Sequence, residues 1–171
     1  MNQIIKTERL ELRLLLQTDV DSIFVLRSCP VINEYIVRDL EIEKNDAMAF
    51  IDKTIKGTED KEIGYWVIQL KENETCIGTI CLWNFSEDRK TAEVGYGLLL
   101  EFHKKGIMNE SLKAVLDFGF NTLKLKTIEA FTHKNNRASQ KLLEKNQFIF
   151  QPERKDEGFP HNIIFKLDKQ C

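Results

Sequence analysis

One segment constrains this chain more than any other: Glu93 to Lys113, EVGYGLLLEFHKKGIMNESLK. Ala92, Val94, Tyr96, Leu98 and Leu100 alternate on one face, which predicts a strand. That strand runs into His103-Lys104-Lys105-Gly106, and the turn opens directly onto a helical pattern with Met108, Leu112, Val115 and Leu116 on one side. A strand, a short Lys/Gly turn and a helix N-terminus together make an anion site. The first N–H groups of a helix have no intrahelical partner, and the helix dipole favours negative charge there. A phosphate-bearing ligand is therefore expected. No Gly-Lys-Ser/Thr ends the turn and no G-x-G-x-x-G precedes it, so neither a nucleoside-triphosphate loop nor a dinucleotide fingerprint is present.

The rest of the chain reads as one domain over residues 1–171 with a mixed α/β pattern. Leu10, Leu12, Leu14 and Leu16 recur at every second position, with charged Glu11 and Arg13 between the first three, as a first strand. Thr18 to Asp21 is a capping-box pattern for a helix that stops before Pro30. A second helix is expected from about Lys44 to Ile55, ended by Gly57. Gly64 to Leu70, Thr75 to Trp83 and the strand ending near Leu100 form an antiparallel meander. A helix over 108–122, a strand over Thr127 to Thr132, a helix over 137–146 and two last strands, Phe148 to Gln151 and Ile163 to Leu167, complete the order β-α-α-β-β-β-α-β-α-β-β.

Charge and cysteine usage exclude several classes. The formal net charge is -2, so nothing argues for nucleic-acid binding. No run of about 18 apolar residues offers a membrane span, and the N-terminus lacks a signal-peptide core, so a cytoplasmic location is expected. Cys29, Cys76, Cys81 and Cys171 match no zinc spacing. Cys76 and Cys81 differ by an odd number, which predicts opposite faces of one strand and no bridge between them. His103, His133 and His161 are scattered, and no metal is expected.

Three motifs carry a resemblance. The strand–HKKG–helix junction resembles the pyrophosphate loop of the GCN5-related N-acetyltransferases, the GNAT superfamily. Asn136-Arg137-Ala138-Ser139, with Leu142-Leu143-Glu144-Lys145 and Phe148, resembles its N-x-A-S-x-x-L-L-E-K-x-G-F segment. Thr7-Glu8-Arg9-Leu10-Glu11-Leu12-Arg13 resembles the T-E-R-L-x-L-R opening of the RimJ/RimL-like branch, which acetylates protein N-termini. The resemblance implies the GNAT fold, a mainly antiparallel sheet flanked by helices and splayed at the cofactor site. It implies acetyl-CoA as cofactor and direct attack by an amine, without a covalent acetyl-enzyme. Two departures stand out. His103-Lys104 replaces the usual Trp-Gly, and Gln147 stands where the family has Gly before the Phe.

Carried onto these residues, the resemblance implies that the amides of Lys104, Lys105, Gly106, Ile107, Met108 and Asn109 bind the pyrophosphate. It implies that Leu98, Leu99 and Leu100 meet the pantetheine arm, and that Asn136 bonds the pantetheine or caps its own helix. Ser139 is the candidate proton donor to the departing thiolate. Glu93 is the candidate general base, with Glu129 and His133 as rivals. Gly95 and Gly97 mark either close approach by the cofactor or packing under an aromatic ring. Trp66, Trp83, Phe85, Tyr35 and Tyr96 are core or cleft wall, and parity does not choose among them. Acceptor choice is expected in residues 30–42, 57–63 and 153–161. The expected acceptor is a protein N-terminal α-amine, with a small-molecule amine (polyamine, amino acid or aminoglycoside) as the alternative and a non-catalytic coenzyme A-binding module as a third reading. A monomer or homodimer fits all three.

Overall fold

A computed structural model describes residues 3–37, 40 and 43–170. Its eight strands are β1 (Ile5–Lys6), β2 (Leu10–Leu14), β3 (Gly64–Leu70), β4 (Asn73–Trp83), β5 (Thr91–Leu98), β6 (Thr127–His133), β7 (Ile149–Phe150) and β8 (Asn162–Asp168). They form one sheet in the order β1-β2-β3-β4-β5-β6-β8-β7. Every neighbouring pair is antiparallel except β5–β6, which is parallel. The helices are α1 (Val20–Ser28), α2 (Lys44–Glu59), α3 (Ile107–Asp117) and α4 (Arg137–Lys145).

Alternation along the strands gives the sheet two apolar faces, each with its own core. Leu10, Leu12, Trp66, Ile68, Ile80, Leu82 and Val94 pack with Leu112, Val115 and Leu116 of α3 and Leu143 of α4. On the other face Tyr65, Val67 and Cys76 pack with Ile23 and Leu26 of α1 and Ala47 and Ile51 of α2. Full burial of each Leu or Ile contributes about 1.5–3 kcal/mol, so the periodicity that names the strands also holds the helices in place. The last turn after α3, Phe118–Thr122, widens to a π-helical turn closed by Leu123 N–H donating to the Phe118 carbonyl at 3.0 Å.

Several expectations need correction. The two-residue β1 was not foreseen, because two residues show no periodicity. β2 ends at Leu14 and β5 at Leu98, where a short 3-10 turn, Leu100–Phe102, takes over. Gly57 does not end α2, which continues to Glu59; there the glycine lets Ile63 pack close, since a Cβ would stand 3.1 Å from its Cγ2. Asp19, rather than Thr18, is the N-cap residue of α1, and its carboxylate pairs with Arg13 instead of capping. The opposite-face argument for Cys76 and Cys81 also fails. Between the pairs Leu70↔Asn73 and Ile68↔Gly78, β4 advances five residues while β3 advances two. This bulge breaks the parity, and both cysteines contact the α1/α2 core. Cys29, Cys76 and Cys81 are all unbridged.

Candidate active site

The site begins as a fault in the sheet. β5 and β6 pair only through Thr91↔Thr127, Ala92↔Ile128 and Glu93↔Glu129. β5 then runs on to Leu98 and β6 to His133 without further pairing, so the strands part. Leu99 N–H donates to the Ile77 carbonyl across β4 at 2.9 Å. By strand alternation the N–H groups of Tyr96 and Leu98 point the other way, into the gap. A cavity of about 640 Å³ fills it, lined by Glu93 to Tyr96, Ala130 to His133, Asn136 and Ser139, by Ile32, Tyr35, Ile36 and Val37 after α1, and by Asp156 and Phe159 before β8. Of the residues expected to govern acceptor choice, Ile32, Tyr35, Ile36, Val37, Asp156 and Phe159 contribute to this wall and 57–63 do not; residues 38, 39, 41 and 42 lie outside the described set.

Glu93 stands where the strands divide. Burial pushes its carboxyl above the usual carboxylate range. Asn84 Nδ2 donates to it at 2.5 Å and acts the other way, while Asp156 and Glu129 add to the rise and Arg154 opposes it. The rivals are occupied. Glu129 is held by both guanidinium nitrogens of Arg154, the second at 3.0 Å. His133 Nδ1 accepts the Asn135 N–H at 3.1 Å, which in the neutral ring puts the proton on Nε2. Its ring stacks on Tyr35 with centroids 5.4 Å apart. Glu93 combines a raised proton affinity with a place on the cavity wall, and the two together suit a base.

Across the gap, Ser139 sits in the first turn of α4. Its N–H donates to Asn136 Oδ1 at 3.1 Å, so Asn136 caps its helix as well as lining the cavity. Ser139 Oγ lies 2.9 Å from the Tyr96 hydroxyl. Burial pushes the Tyr96 phenol up to about 12, with the Ser139 bond acting the other way. Parity could place Tyr96 on a face but could not bring it to Ser139; only the parting of β5 from β6 does that. Asp156 was missed too, because nothing in its local sequence ties it to Glu93. The two glycines separate: a Cβ at Gly95 would meet Cys81 Sγ at 3.2 Å, whereas at Gly97 it would meet nothing within 4 Å.

Leu98 to Asn109 lie outside the cavity, at the far end of β5. Lys104 takes the left-handed conformation, φ 60, that the family's glycine would adopt, and Gly106 follows at φ 76 as the N-cap residue of α3. No side chain caps α3, and its first intrahelical bond is Glu110 N–H to the Gly106 carbonyl at 3.1 Å. The N–H groups of Ile107, Met108 and Asn109 are thus left for an anion beside Lys104 and Lys105. His103 Nε2 donates to the Leu98 carbonyl at 2.9 Å. The N-terminal motif braces this loop from below. Thr7 Oγ1, Arg9 N–H and Arg9 Nε all donate to the Glu110 carboxylate, at 2.5, 2.9 and 2.7 Å, and Arg9 Nη1 donates to the Lys105 carbonyl at 3.1 Å. These bonds hold the Glu110 carboxyl below its usual range despite some burial. An uncapped helix end, two lysines and a left-handed turn fit a pyrophosphate.

Residues 9–149 match the family model described as an acetyltransferase (GNAT) domain. The chain is 30% identical over 151 residues to the "uncharacterized N-acetyltransferase p20" of Bacillus licheniformis, covering 86% of this chain and 82% of that one. It is 28% identical over 148 residues to the "uncharacterized N-acetyltransferase YoaA" of Bacillus subtilis, covering 86% and 84%. Among solved structures, a RimL ribosomal L7/L12 alpha-N-protein acetyltransferase in complex with coenzyme A superposes with TM-score 0.83 at 18% identity, over 97% of this chain and 98% of that one.

Proposed function

The chain belongs to the GNAT family and is an acetyl-CoA-dependent N-acetyltransferase, and we propose that its acceptor is a protein N-terminal α-amine. The observation that carries this reading is the half-buried Glu93 with its raised proton affinity. Only a neutral amine is a nucleophile. An α-ammonium of pKa ~7.8 lies about 3.5 units above an ordinary Glu, a proton-transfer cost of about 5 kcal/mol; a lysine at ~10.4 lies about 6 units above, about 8 kcal/mol. Every unit by which burial lifts Glu93 removes about 1.4 kcal/mol of that cost. One carboxylate therefore serves an α-amine far better than a side-chain amine. The fold shared with the RimL structure is consistent with this acceptor class.

Acetyl-CoA supplies the activated acetyl thioester and the thiol leaving group. Lys104, Lys105 and the amides of Gly106 to Asn109 would hold its pyrophosphate, and Leu98 to Leu100 with Asn136 its pantetheine arm. Glu93 takes the amine proton, directly or through one water. The Tyr96 N–H, aimed into the gap, is placed to stabilise negative charge on a carbonyl oxygen there. Ser139, hydrogen-bonded to Tyr96, donates to the departing sulfur. The amine attacks directly: burial pushes the thiols of Cys76 and Cys81 each up to about 12, so neither is a thiolate nucleophile at neutral pH. The test is release of free coenzyme A from acetyl-CoA across N-terminal peptides, polyamines, amino acids and aminoglycosides. Peptides are expected to lead; release driven only by small amines would reject this acceptor class.

A further inference from the structure

Resting on that reading, we propose that the cavity selects protein N-termini that begin with a large apolar residue (Met, Leu or Phe) over those that begin with Gly or Ser. The inference comes from what lines the cavity. On its wall stand two carboxylates from different parts of the chain, Glu93 on β5 and Asp156 before β8, held by Asn84 and by Asn162 at 2.7 Å respectively. They complement an ammonium group and nothing anionic. Around the mouth stand Ile36, Val37, Trp83 and Phe159, with 44, 70, 46 and 41% of their surface exposed. Single exposed apolar side chains are ordinary. Four of them, brought from the loop after α1, the end of β4 and the loop before β8 to the rim of one acidic cavity, are not scattered, and such rims mark binding sites.

The pairing of two carboxylates with exposed hydrocarbon in one cavity limits the occupant. A polyamine or aminoglycoside carries further ammonium or hydroxyl groups, to which Ile36, Val37 and Phe159 offer no hydrogen-bonding partner. A peptide N-terminus carries one charge at its end. The side chain of the first residue leaves the carbon that bears the amine, so with the amine held near Glu93 it lies close to Trp83, the direct cross-strand partner of Glu93. An apolar side chain there loses water to Val37, Trp83 and Phe159; glycine has nothing to offer them and serine offers a hydroxyl.

The experiment is a peptide series identical but for its first residue (Met, Leu, Phe, Ala, Gly, Ser), with kcat/KM measured for each at saturating acetyl-CoA. Apolar starts are expected to exceed Gly and Ser by about tenfold or more, the scale on which apolar pockets discriminate. The Val37→Ser/Phe159→Ser double variant is expected to shrink that ratio to about twofold. Because a ratio is compared within one enzyme sample, a partly unfolded variant does not distort it. Peptides acetylated at equal rates, or a ratio unmoved by the double variant, would overturn this inference and leave the N-terminal acceptor standing. A small amine acetylated while every peptide is refused would overturn both.

Discussion

Replacing Glu93 by Gln removes the proposed base while keeping size and the capacity to bond Asn84, and its effect has a calculable shape in pH. Near pH 7 about one α-amine in seven is neutral, given a pKa of ~7.8. General-base assistance contributes about 10²–10⁴-fold. Glu93→Gln is therefore expected to lower kcat/KM by about 10²-fold or more at pH 7. By pH 9.5 the free amine is neutral without help, and the loss should shrink to about tenfold. In the unsubstituted enzyme the acid limb of the profile should fall above the ordinary Glu value of about 4.3, because burial raises Glu93. That limb should vanish in the variant. Stability moves the opposite way to activity. A raised native value means that ionised Glu93 disfavours the folded state above that value, and the penalty is relieved as pH falls through it. The neutral glutamine should thus leave the melting temperature at pH 7 unchanged or higher. Chromatographic measurement of acetylated peptide from pH 5.5 to 9.5 reads the product directly. A loss of equal size at every pH would refute the base assignment and leave Glu93 a binding or structural residue.

Three further outcomes follow from the geometry. Ser139→Ala and Tyr96→Phe should each lower kcat by about 3–30-fold, and the double variant should fall well short of the product, because the two hydroxyls form one hydrogen bond; multiplicative losses would mean that they act separately. Arg9→Ala removes the guanidinium bonds to Glu110 and to the Lys105 carbonyl, leaving the Thr7 hydroxyl and the residue-9 N–H on Glu110, so it should loosen the anion loop and weaken acetyl-CoA binding by up to about tenfold with little change in kcat at saturation. Glu110 is lowered in the fold, so its stabilisation is present above ~4.3 and lost as pH falls through its native value; acid unfolding of Arg9→Ala should begin at higher pH, and an unchanged acid midpoint would count against the brace. Gln147 holds φ 67, where glycine carries no Cβ penalty, so Gln147→Gly should gain about 1 kcal/mol and raise the melting temperature by about 2–4 °C without affecting turnover; a lower melting temperature would show that its bond to Gln170 outweighs the strain.

What could be read from the sequence divides along a physical line. Local features were legible. The turn at Lys104 to Gly106, the cap at Asn136 and the alternation that puts Ala92, Val94 and Leu98 in one core depend on residues close together in the chain. Features made by distant pairing were not. Nothing near Tyr96 announces that β5 leaves β6 after Glu93, yet that departure brings its hydroxyl to Ser139. The bulge in β4 undid a parity argument for Cys76 and Cys81 that would hold on a regular strand. Thr7 and Arg9 looked like a family signature without a physical task until the fold carried them to Glu110, about a hundred residues away.

The parting of β5 and β6 also bears on how this sheet avoids sticking to others. An unpaired strand edge normally invites a foreign strand, and proteins blunt such edges with charge, brevity or cover. The outer edges here are the two-residue strands β1 and β7, short enough to template little. The gap makes two more edges, but inside the sheet, facing each other, with α4 close to one of them and the loop after α1 across the opening. Their hydrogen-bonding groups face each other across the cavity, which leaves room for a narrow ligand or a chain end but not for a full strand pairing from outside the sheet. The sheet thus keeps open ladder positions for chemistry without offering them to aggregation.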